Sequence, residues 1–385
     1  MSDDLKESED LEQELPPEIE QKRRKGLLRT GYTTGTCATA ATKAALISMI
    51  RNKPINEVVI ILPKGNTAKL MIERCNFDSE RAECAVIKDA GDDPDVTHGA
   101  EIVSTVTWID NVGEIEIYGG KGVGKVTKPG IGLDIGKPAI NLTPMKMITN
   151  IVMEVANEQL KTKGVKVIIS VPKGEELAKL TDNPRLGIIG GVSILGTSGI
   201  VLPYSTGSFT ASIRQGLDVA KAMGQDSVVL TTGGRSEDFS KELLKMPEHC
   251  YVQMGDFAAY SVRQALIKGM RKVIIAGFIG KLSKMAMGVK QTHVKGSHVN
   301  MEFLALAAKE CDASAELVKE LKNANTARHV SEIVMENKLD GYFDFLCRKG
   351  YTVMTDHIKG QIQIKFIMFD FNGKVIGSFP KDNFI

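Results

Sequence analysis

The sequence predicts an α/β protein in two parts: an α+β domain over residues 26–142, then a Rossmann-like domain with an open, mostly parallel sheet over residues 143–310. Three observations predict this fold class. One alanine-rich helical run precedes several strand-like segments in the first part, and short apolar runs alternate with helical segments in the second. Such alternation is typical of a parallel sheet with helices on both faces. A chain of 385 residues is also too long for one small core.

Composition and charge exclude several classes of protein. Apolar residues make up 43% of the chain and charged residues 25%, as in ordinary globular proteins. The formal net charge of +2 indicates no nucleic-acid partner, and no apolar run is long enough to span a membrane. The N-terminus is charged and lacks an apolar signal core, so secretion is not indicated. The six cysteines form no C-x-x-C pair, which favours reduced thiols in a cytoplasmic protein over a zinc or iron–sulfur site.

Residues 1–25 are predicted to be a disordered, charged tail. Acidic residues crowd the first part of this segment, and the basic run K-R-R-K closes it. Blocks of like charge cannot bury a core and stay solvated. Folded structure is therefore expected only from residue 26 onward.

The threonine stretch, residues 28–45, opens the folded chain and reads L-R-T-G-Y-T-T-G-T-C-A-T-A-A-T-K-A-A. Residues 37–50 lack Gly and Pro and are mostly small, which predicts a tightly packed helix. Thr34 or Thr36 could cap this helix, and free N–H groups at its start would attract a carboxylate or a phosphate. A capped, buried helix that binds nothing is the alternative.

Strand-like segments follow the helix and complete the α+β domain. They lie at residues 58–62, 68–74, 82–88, 102–108 and 114–117. A crossing rich in Gly and Pro at residues 129–144 then leads into a helix predicted over residues 143–160.

Beyond that crossing, apolar strands alternate with helices. Residues 166–171 are expected to open the parallel sheet. Further strands are predicted at residues 227–231, 251–254 and 272–276, and helices at residues 212–223, 257–268 and 282–287. Residues 301–338 are predicted to be helical. The last part, residues 311–385, is expected to pack on the domains as helices and a hairpin around the turn dipeptide Asn372-Gly373.

The acidic loop, residues 89–99, is the sharpest local signal and reads D-A-G-D-D-P-D-V-T-H-G. Strand-like segments flank it, so it is expected to be a turn at a strand end. Crowded carboxylates repel one another, and at least one of their pKa values should rise. A general base, a divalent-cation site and a polar turn whose aspartates bond their own backbone remain open.

The glycine-rich loop, residues 119–125, reads G-G-K-G-V-G-K. It lacks the G-K-[ST] ending and no helix follows, so a P-loop is not expected. Two interpretations stay open. One is a flexible basic loop whose lysines meet a substrate with many carboxylates, and the other is a mobile hairpin loop.

Three further segments with glycines follow predicted strands: residues 187–199, 231–237 and 255–256. Open α/β sheets bind ligands at the carboxyl ends of their strands. Glu237 or Asp256 could therefore accept hydrogen bonds from ribose hydroxyls, and Arg235 could pair with a carboxylate. Ordinary connections are the alternative for each segment.

Near the end of the second part, His293 and His298 stand five residues apart. Such a pair could reach the substrate or ligate a metal ion. The spacing does not place both side chains on one helix face, so ordinary loop or packing roles are favoured over these.

Four motifs together resemble one protein family: T-G-Y-T-T-G-T-C, D-A-G-D-D-P-D-V-T-H-G, T-T-G-G-R-S-E and M-G-D-F. They resemble the CbiD family, the cobalt-precorrin-5B C-1 methyltransferases of anaerobic cobalamin (vitamin B12) biosynthesis. The resemblance runs from about residue 28 to the last strands. It implies methyl transfer from S-adenosyl-L-methionine to cobalt-precorrin-5B, a cobalt-tetrapyrrole with many carboxylate arms, to give cobalt-precorrin-6A.

The resemblance also sets the expected partners. Cobalt would arrive with the substrate, so no protein-bound metal is expected. Other enzymes of the cobalamin pathway and a homo-oligomer remain open as partners, and neither nucleic acid nor a membrane is expected. A non-catalytic tetrapyrrole carrier is the alternative function, and a nucleotide-dependent enzyme that uses the glycine-rich loop is a third.

Three groups of site residues follow from the motifs. The candidates for managing the proton and charge of the reacting macrocycle are Asp92, Asp93, Asp95 and His98. The candidates for binding substrate carboxylates are Thr33, Thr34, Thr36, Lys121 and Lys125. The candidates for binding the cofactor are Gly196, Thr197, Ser198, Gly233, Gly234, Arg235, Glu237 and Asp256.

Overall fold

A computed structural model describes residues 17–290, Thr292 and residues 299–382, which form two compact units. The N-terminal unit ends at Ser205, and the C-terminal unit begins at Thr206. The boundary therefore falls well beyond the one predicted after residue 142. The reason is that residues 143–205 pair and pack with the strands that precede them.

The N-terminal unit combines four α-helices with thirteen strands among its described residues. They are α1 (Pro17–Arg24), β1 (Gly31–Tyr32), α2 (Thr34–Arg51), β2 (Glu57–Ile61), β3 (Thr67–Met71), β4 (Arg74–Phe77), β5 (Arg81–Ile87), β6 (Glu101–Ile109), β7 (Ile115–Gly119), β8 (Gly122–Val123), β9 (Lys125–Val126), α3 (Leu142–Val155), β10 (Gly164–Ser170), α4 (Gly174–Ala178), β11 (Ile188–Ile189), β12 (Gly191–Val192) and β13 (Ile200–Val201). The strand-like segments predicted before residue 120 are confirmed.

Helix α1 corrects the prediction of a disordered tail over residues 1–25. It buries no side chain, so packing does not hold it. Its first turn is acidic and its last turn basic, which suits the helix dipole. Arg24 Nε also pairs with Glu20 Oε1 at 3.1 Å, one helical turn away. Residues 1–16 of the predicted tail lie outside the described residues.

Helix α2 confirms the helix predicted in the threonine stretch, but a different residue caps it. The Oγ1 of Thr33 accepts a hydrogen bond from the Thr36 N–H at 3.2 Å, so the cap is Thr33 and not Thr34 or Thr36. The hydroxyls of Thr39 and Thr42 each donate to the carbonyl four residues earlier at 2.8 Å. Small side chains and hydroxyls satisfied within the helix allow it to be buried along most of its length.

The main sheet of the N-terminal unit has the strand order β4-β5-β6-β10-β7. All neighbours are antiparallel except β10 and β7. Strand β10 was expected to open the parallel sheet of the second domain, and this expectation is wrong. Its apolar pattern indicates a strand buried on both faces, but such a pattern does not specify which sheet the strand joins.

The C-terminal unit places helices around one five-stranded sheet. Its elements are α5 (Thr206–Ala222), β14 (Ser227–Thr231), α6 (Gly234–Leu244), β15 (Tyr251–Gln253), α7 (Ala258–Ile267), β16 (Lys272–Phe278), α8 (Ile279–Ala286), α9 (Met301–Lys309), α10 (Ala315–Lys322), α11 (Ala327–Glu336), α12 (Tyr342–His357), β17 (Gln363–Phe369) and β18 (Val375–Phe379).

This sheet has the order β15-β14-β16-β17-β18, with only β18 antiparallel to its neighbour. Val228 and Leu230 face one apolar core and Val229 faces the other, so both faces are buried. The parallel strands predicted at residues 227–231, 251–254 and 272–276 and the hairpin at Asn372-Gly373 are confirmed. The pairing of β17 with β16 was not predicted. Across the part of the chain that the structure describes, no helix is long and apolar enough to cross a membrane.

Candidate functional site

In the N-terminal unit, the threonine stretch and the acidic loop cross each other closely. The Tyr32 N–H donates to the Asp89 carbonyl at 2.7 Å. Gly91 has a φ of +69°, and a Cβ placed on it would lie 2.1 Å from the Arg29 carbonyl oxygen. A Cβ on Gly31 would lie 2.1 Å from the backbone of the acidic loop. Both glycines are therefore required for the two motifs to meet.

Two carboxylates of the acidic loop hold this crossing together, and the histidine braces the loop itself. Asp89 forms an ion pair with the Arg29 guanidinium, which holds the pKa of that carboxyl below its usual range. Asp92 Oδ2 accepts a hydrogen bond from the Arg29 N–H at 2.8 Å. The Nδ1 of His98 accepts a hydrogen bond from the Ala90 N–H at 3.1 Å, so this nitrogen carries no proton in the arrangement seen.

Asp95, a third carboxylate of the loop, forms an ion pair with a buried lysine. Its Oδ2 lies 2.7 Å from the Nζ of Lys88, whose side chain is 1% exposed. Its Oδ1 accepts hydrogen bonds from the N–H and the hydroxyl of Thr97 at 2.7 and 2.6 Å. Burial alone would raise the pKa of the Asp95 carboxyl, but Lys88 and Thr97 outweigh it, and this pKa lies below its usual value.

Asp93 differs from the other carboxylates of the loop. Its Oδ1 accepts a hydrogen bond from the Tyr204 N–H at 2.7 Å. Burial, with a smaller contribution from the nearby Asp95 charge, raises the pKa of the Asp93 carboxyl above its ordinary value. The expected rise among the crowded aspartates is therefore found at Asp93, and its main cause is burial rather than repulsion.

A cavity of about 160 Å³ opens beside this crossing. Thr33, Thr34, Lys88, Asp95 and Asn183 are among the residues that line it. Its volume is below the roughly 300–1,000 Å³ of sites that enclose whole small molecules, so it has room for a substituent and not for a macrocycle.

The start of α2 is occupied by the protein's own backbone and not left open for an anion. The Gly35 N–H donates to the Leu195 carbonyl at 3.0 Å, and the Thr36 N–H donates to the Thr33 hydroxyl. Thr36 itself is fully buried and donates to the Gly199 carbonyl at 2.7 Å. Thr33 and Thr34 therefore reach the cavity, whereas Thr36 fastens the loop against the helix.

Residues 196–198 belong to this N-terminal unit. A Cβ on Gly196 would lie 2.4 Å from the Thr33 side chain, and the Ser198 hydroxyl donates to the Ile200 carbonyl at 3.0 Å. The prediction that Gly196, Thr197 and Ser198 lie at a carboxyl end of the parallel sheet is therefore wrong. They follow β12, which pairs with β8.

The glycine-rich loop is closely packed, in contrast to the flexible and the mobile loop that the sequence left open. Strand β8 within it pairs with β12, and a Cβ on Gly122 would lie 1.9 Å from the Val171 carbonyl oxygen. Gly122 therefore allows two backbones to approach closely. Lys121 and Lys125 remain exposed.

In the C-terminal unit, a cavity of about 410 Å³ lies at the carboxyl ends of β14, β15 and β16. Gly233, Arg235 and Asp256 line it, as expected for loops that follow parallel strands. Gly234 is the first residue of α6. Glu237 is buried and pairs with Lys241 at 2.8 Å on the same helix, and it is not among the lining residues.

Polar contacts at this cavity centre on Asp256. Its Oδ1 lies 3.1 Å from the Nζ of Lys281 and accepts a hydrogen bond from the Thr292 hydroxyl at 2.9 Å. The buried Lys284 donates to the Thr292 carbonyl at 2.9 Å. These contacts fix the orientation of the Asp256 carboxylate at the strand end.

An aromatic wall completes the cavity. The rings of Phe278 and Phe371 stack with centroids 5.0 Å apart and planes 3° from parallel. Arg328 lies 4.9 Å from the Phe371 centroid, and Arg235 lies 5.8 Å from the Phe278 centroid. Arg235 also donates to the Phe371 carbonyl. The cavity thus combines one carboxylate, several cations and a flat apolar surface.

Sequence reasoning missed several of these residues. Lys88 follows an apolar strand, and a lysine at such a position is normally exposed to solvent. Only the aspartates that follow it could have indicated that it is buried in an ion pair. Asn183 lies in the turn-like run T-D-N-P-R, which gave no ligand signal. Phe278 and Phe371 lie far apart in sequence, and only the sheet order brings them together. His293 and His298 lie outside the described residues. Within the described ranges, no group of three or more His, Cys, Asp or Glu side chains could hold a metal ion.

Comparison with known proteins relates the chain to one family. The family model CbiD matches residues 20–203, and the model of the CbiD C-terminal domain matches residues 291–380. Among solved structures, a cobalamin biosynthesis protein (cbiD) from Archaeoglobus fulgidus is 24% identical, with a TM-score of 0.36. That match covers 84% of this chain and 92% of the other.

Curated relatives match over nearly the whole chain. A protein from Priestia megaterium is 46% identical over 91% of this chain and 95% of its own. One from Geobacillus sp. (strain WCH70) is 47% identical over 92% of this chain and 97% of its own, and one from Salinispora tropica is 47% identical over 91% and 92%. All three are named cobalt-precorrin-5B C(1)-methyltransferase. Family models and relatives together show that this chain belongs to the CbiD family.

Proposed function

We propose that this chain is an S-adenosyl-L-methionine-dependent C-methyltransferase that methylates cobalt-precorrin-5B at C-1 to give cobalt-precorrin-6A in anaerobic cobalamin biosynthesis. The observation that carries the proposal is the similarity to relatives of that name, which extends over 91% or more of this chain. The cobalt belongs to the tetrapyrrole substrate. The protein acts in the cytoplasm.

We assign the methyl donor to the 410 Å³ cavity of the C-terminal unit, which we take as a Rossmann-like domain. The residues fit such a group. The volume suits a cofactor-sized molecule, and open space above Gly233 lets a ligand approach the start of α6. Arg235 and the first N–H groups of that helix would hold the carboxylate end. Asp256 would accept hydrogen bonds from ribose hydroxyls, and the aromatic wall offers a face for the base.

When bound, this co-substrate supplies an electrophilic methyl group on sulfur. The chain contributes by holding the two reacting molecules in position, and orientation alone lowers the activation barrier by about 7–11 kcal/mol in the best cases. Glu237 pairs with Lys241 inside α6 and supports that helix rather than the ligand.

We assign proton handling to Asp93 in the acidic loop. A base is most effective when its pKa is close to the working pH, and burial shifts the pKa of Asp93 in that direction. Asp92 accepts a hydrogen bond from the Arg29 N–H and Asp95 is paired with Lys88, so these two carboxylates position the loop. His98 is about half exposed and remains available to the macrocycle through its second nitrogen.

The carboxylate arms of the substrate are assigned to two sets of groups. Thr33 and Thr34 line the 160 Å³ cavity, whose size matches a single arm. The backbone of Lys121 and Lys125 is packed but their side chains are exposed, so their ammonium groups can form ion pairs with carboxylate arms that remain in solvent.

The decisive experiment is an anaerobic incubation of the pure protein with S-adenosyl-L-methionine and cobalt-precorrin-5B, followed by mass spectrometry of the tetrapyrrole. Gain of one methyl group, absent when the protein is left out, is the expected result, and fragment analysis then locates it. No gain while both ligands bind would refute catalysis by the chain alone. No gain and no cofactor binding would favour the carrier.

A further inference from the structure

Two cysteines that play no part in the proposed reaction face each other across neighbouring strands. Cys75 on β4 and Cys84 on β5 are directly opposite in the antiparallel register. Their sulfur atoms lie 2.8 Å apart. Nothing in the sequence spacing of the cysteines indicated this pair, because only the register of the hairpin brings it together.

The backbone geometry at this position suits a covalent bond. Directly opposite residues of antiparallel strands have Cα atoms about 4.5–5.5 Å apart, and disulfides form at Cα separations of about 4.4–6.8 Å. No backbone movement is therefore needed to join Cys75 and Cys84, and small side-chain rotations suffice.

The surroundings give the two thiols different roles. Cys84 is fully buried, whereas Cys75 is partly exposed. The Ser48 hydroxyl of α2 lies 2.9 Å from the Cys75 sulfur and can bond it. Burial, together with the adjacent Cys75 sulfur, raises the pKa of the Cys84 thiol. An external reagent would therefore meet Cys75 first, and Cys84 would react from inside the sheet.

We propose that Cys75 and Cys84 form a thiol–disulfide exchange site that closes to a cross-strand disulfide with a low-molecular-weight disulfide as oxidant. The Cys75 thiolate attacks one sulfur of the oxidant, so a mixed disulfide forms and one thiol leaves. Cys84 then loses its proton and attacks the Cys75 sulfur, which releases the second thiol. The protein pair loses two electrons and two protons, and the oxidant becomes two thiols.

The position of the pair links this chemistry to the N-terminal site. Strand β5 ends at Ile87, immediately before Lys88 and the acidic loop, and Ser48 lies on the helix that Thr33 caps. The disulfide would join the strand that leads into the acidic loop to its neighbour. The proposal concerns the thiols alone and does not depend on methyl transfer.

The test uses the full-length chain. The reduced protein is freed of reductant, incubated with oxidised glutathione, blocked with N-ethylmaleimide and digested with trypsin for mass spectrometry. Cleavage after Arg81 separates the two cysteines, so only a disulfide can keep their peptides together. We expect the peptides of Cys75 and Cys84 to remain joined with the loss of two hydrogens, and dithiothreitol to separate them.

Two variants make the test specific. In Cys84→Ser the crosslink is lost and Cys75 retains one glutathione. In Cys311→Ser, a matched control at another partly exposed cysteine, the crosslink yield is unchanged. A wild-type pair that stays reduced, or a wild-type Cys75 that keeps glutathione without a crosslink, overturns the proposal.

Discussion

Replacing Asp95 with Asn tests whether its ion pair with the buried Lys88 stabilises the N-terminal unit. Removing one partner of a fully buried pair costs about 3–5 kcal/mol, because the other charge is left without compensation. Lys88 is 1% exposed but Asp95 is 26% exposed, so water screens part of the loss. We therefore expect Asp95→Asn to lower the free energy of unfolding by about 3 kcal/mol, at the low end of that range.

The chain offers a local probe for this measurement. Trp108 is the only tryptophan of the sequence and lies on β6, in the same unit as the pair. Its fluorescence during urea unfolding reports that unit. The pKa of Asp95 is lower in the folded state than in the unfolded state, so its stabilisation is complete above about pH 4. It is lost as the pH falls further, and the Asp95→Asn variant should lack this component.

Controls separate the pair from a general effect of lost charge. Asp110→Asn, at an exposed carboxylate just beyond β6, should change the free energy of unfolding by less than about 0.5 kcal/mol. In a double-mutant cycle with Lys88→Met, the combined variant should lose less than the sum of the single variants. If Asp95→Asn costs no more than Asp110→Asn, or if the losses are additive, the pair does not stabilise the unit as argued.

Three further perturbations test the two sites. Gly91→Ala should lower the free energy of unfolding by more than 1–3 kcal/mol, roughly the cost of the left-handed backbone alone. Gly132→Ala, also at positive φ but with open space around it, should lower it by that cost only, and equal losses for both variants in unfolding followed by tryptophan fluorescence would contradict the close contact of the two motifs at Gly91. Asp93→Asn should reduce turnover about 10²–10⁴-fold. It should also abolish the fall in rate that we expect for the wild type as the pH drops through the raised pKa of Asp93, and an unchanged pH–rate profile would exclude Asp93 as the base. Asp256→Asn should weaken binding of S-adenosyl-L-methionine about tenfold in isothermal titration calorimetry, the effect of losing roughly 1.4 kcal/mol. Asp226→Asn lies just before β14, at the amino ends of the strands, and should bind as the wild type does; equal affinity in both variants would place the cofactor elsewhere.

The sequence predicted elements better than their partners. The spacing of apolar residues and the presence of turn dipeptides are local features of the sequence. The helix of the threonine stretch and the hairpin at Asn372-Gly373 could therefore be located from short segments of sequence. Strand β10 has the apolar pattern of any strand buried on both faces, and its place between β6 and β7 depends on pairing that no local pattern encodes.

The candidate site shows the same limit at the level of side chains. Crowded aspartates predicted a raised pKa, but which aspartate carries it depends on burial and on which neighbour holds a cation. Lys88 decides the outcome for Asp95, and the absence of such a partner among the described contacts of Asp93 leaves burial dominant. The glycines at residues 119–125 were interpreted through their own flexibility, whereas close neighbours require them, as the backbone at Val171 does for Gly122.

The anchoring of helix α2 has a consequence for hydrogen exchange. The first turn of a helix normally frays, and its amide protons exchange with solvent early. Here the Gly35 amide is bonded to the carbonyl of Leu195, and the Thr33 amide is bonded to that of Gly199, at least 160 residues later in the chain. These protons can exchange only when the distant segment detaches. The opening of the threonine stretch and the release of residues 195–199 should therefore occur as one cooperative event, and the two segments should show the same protection.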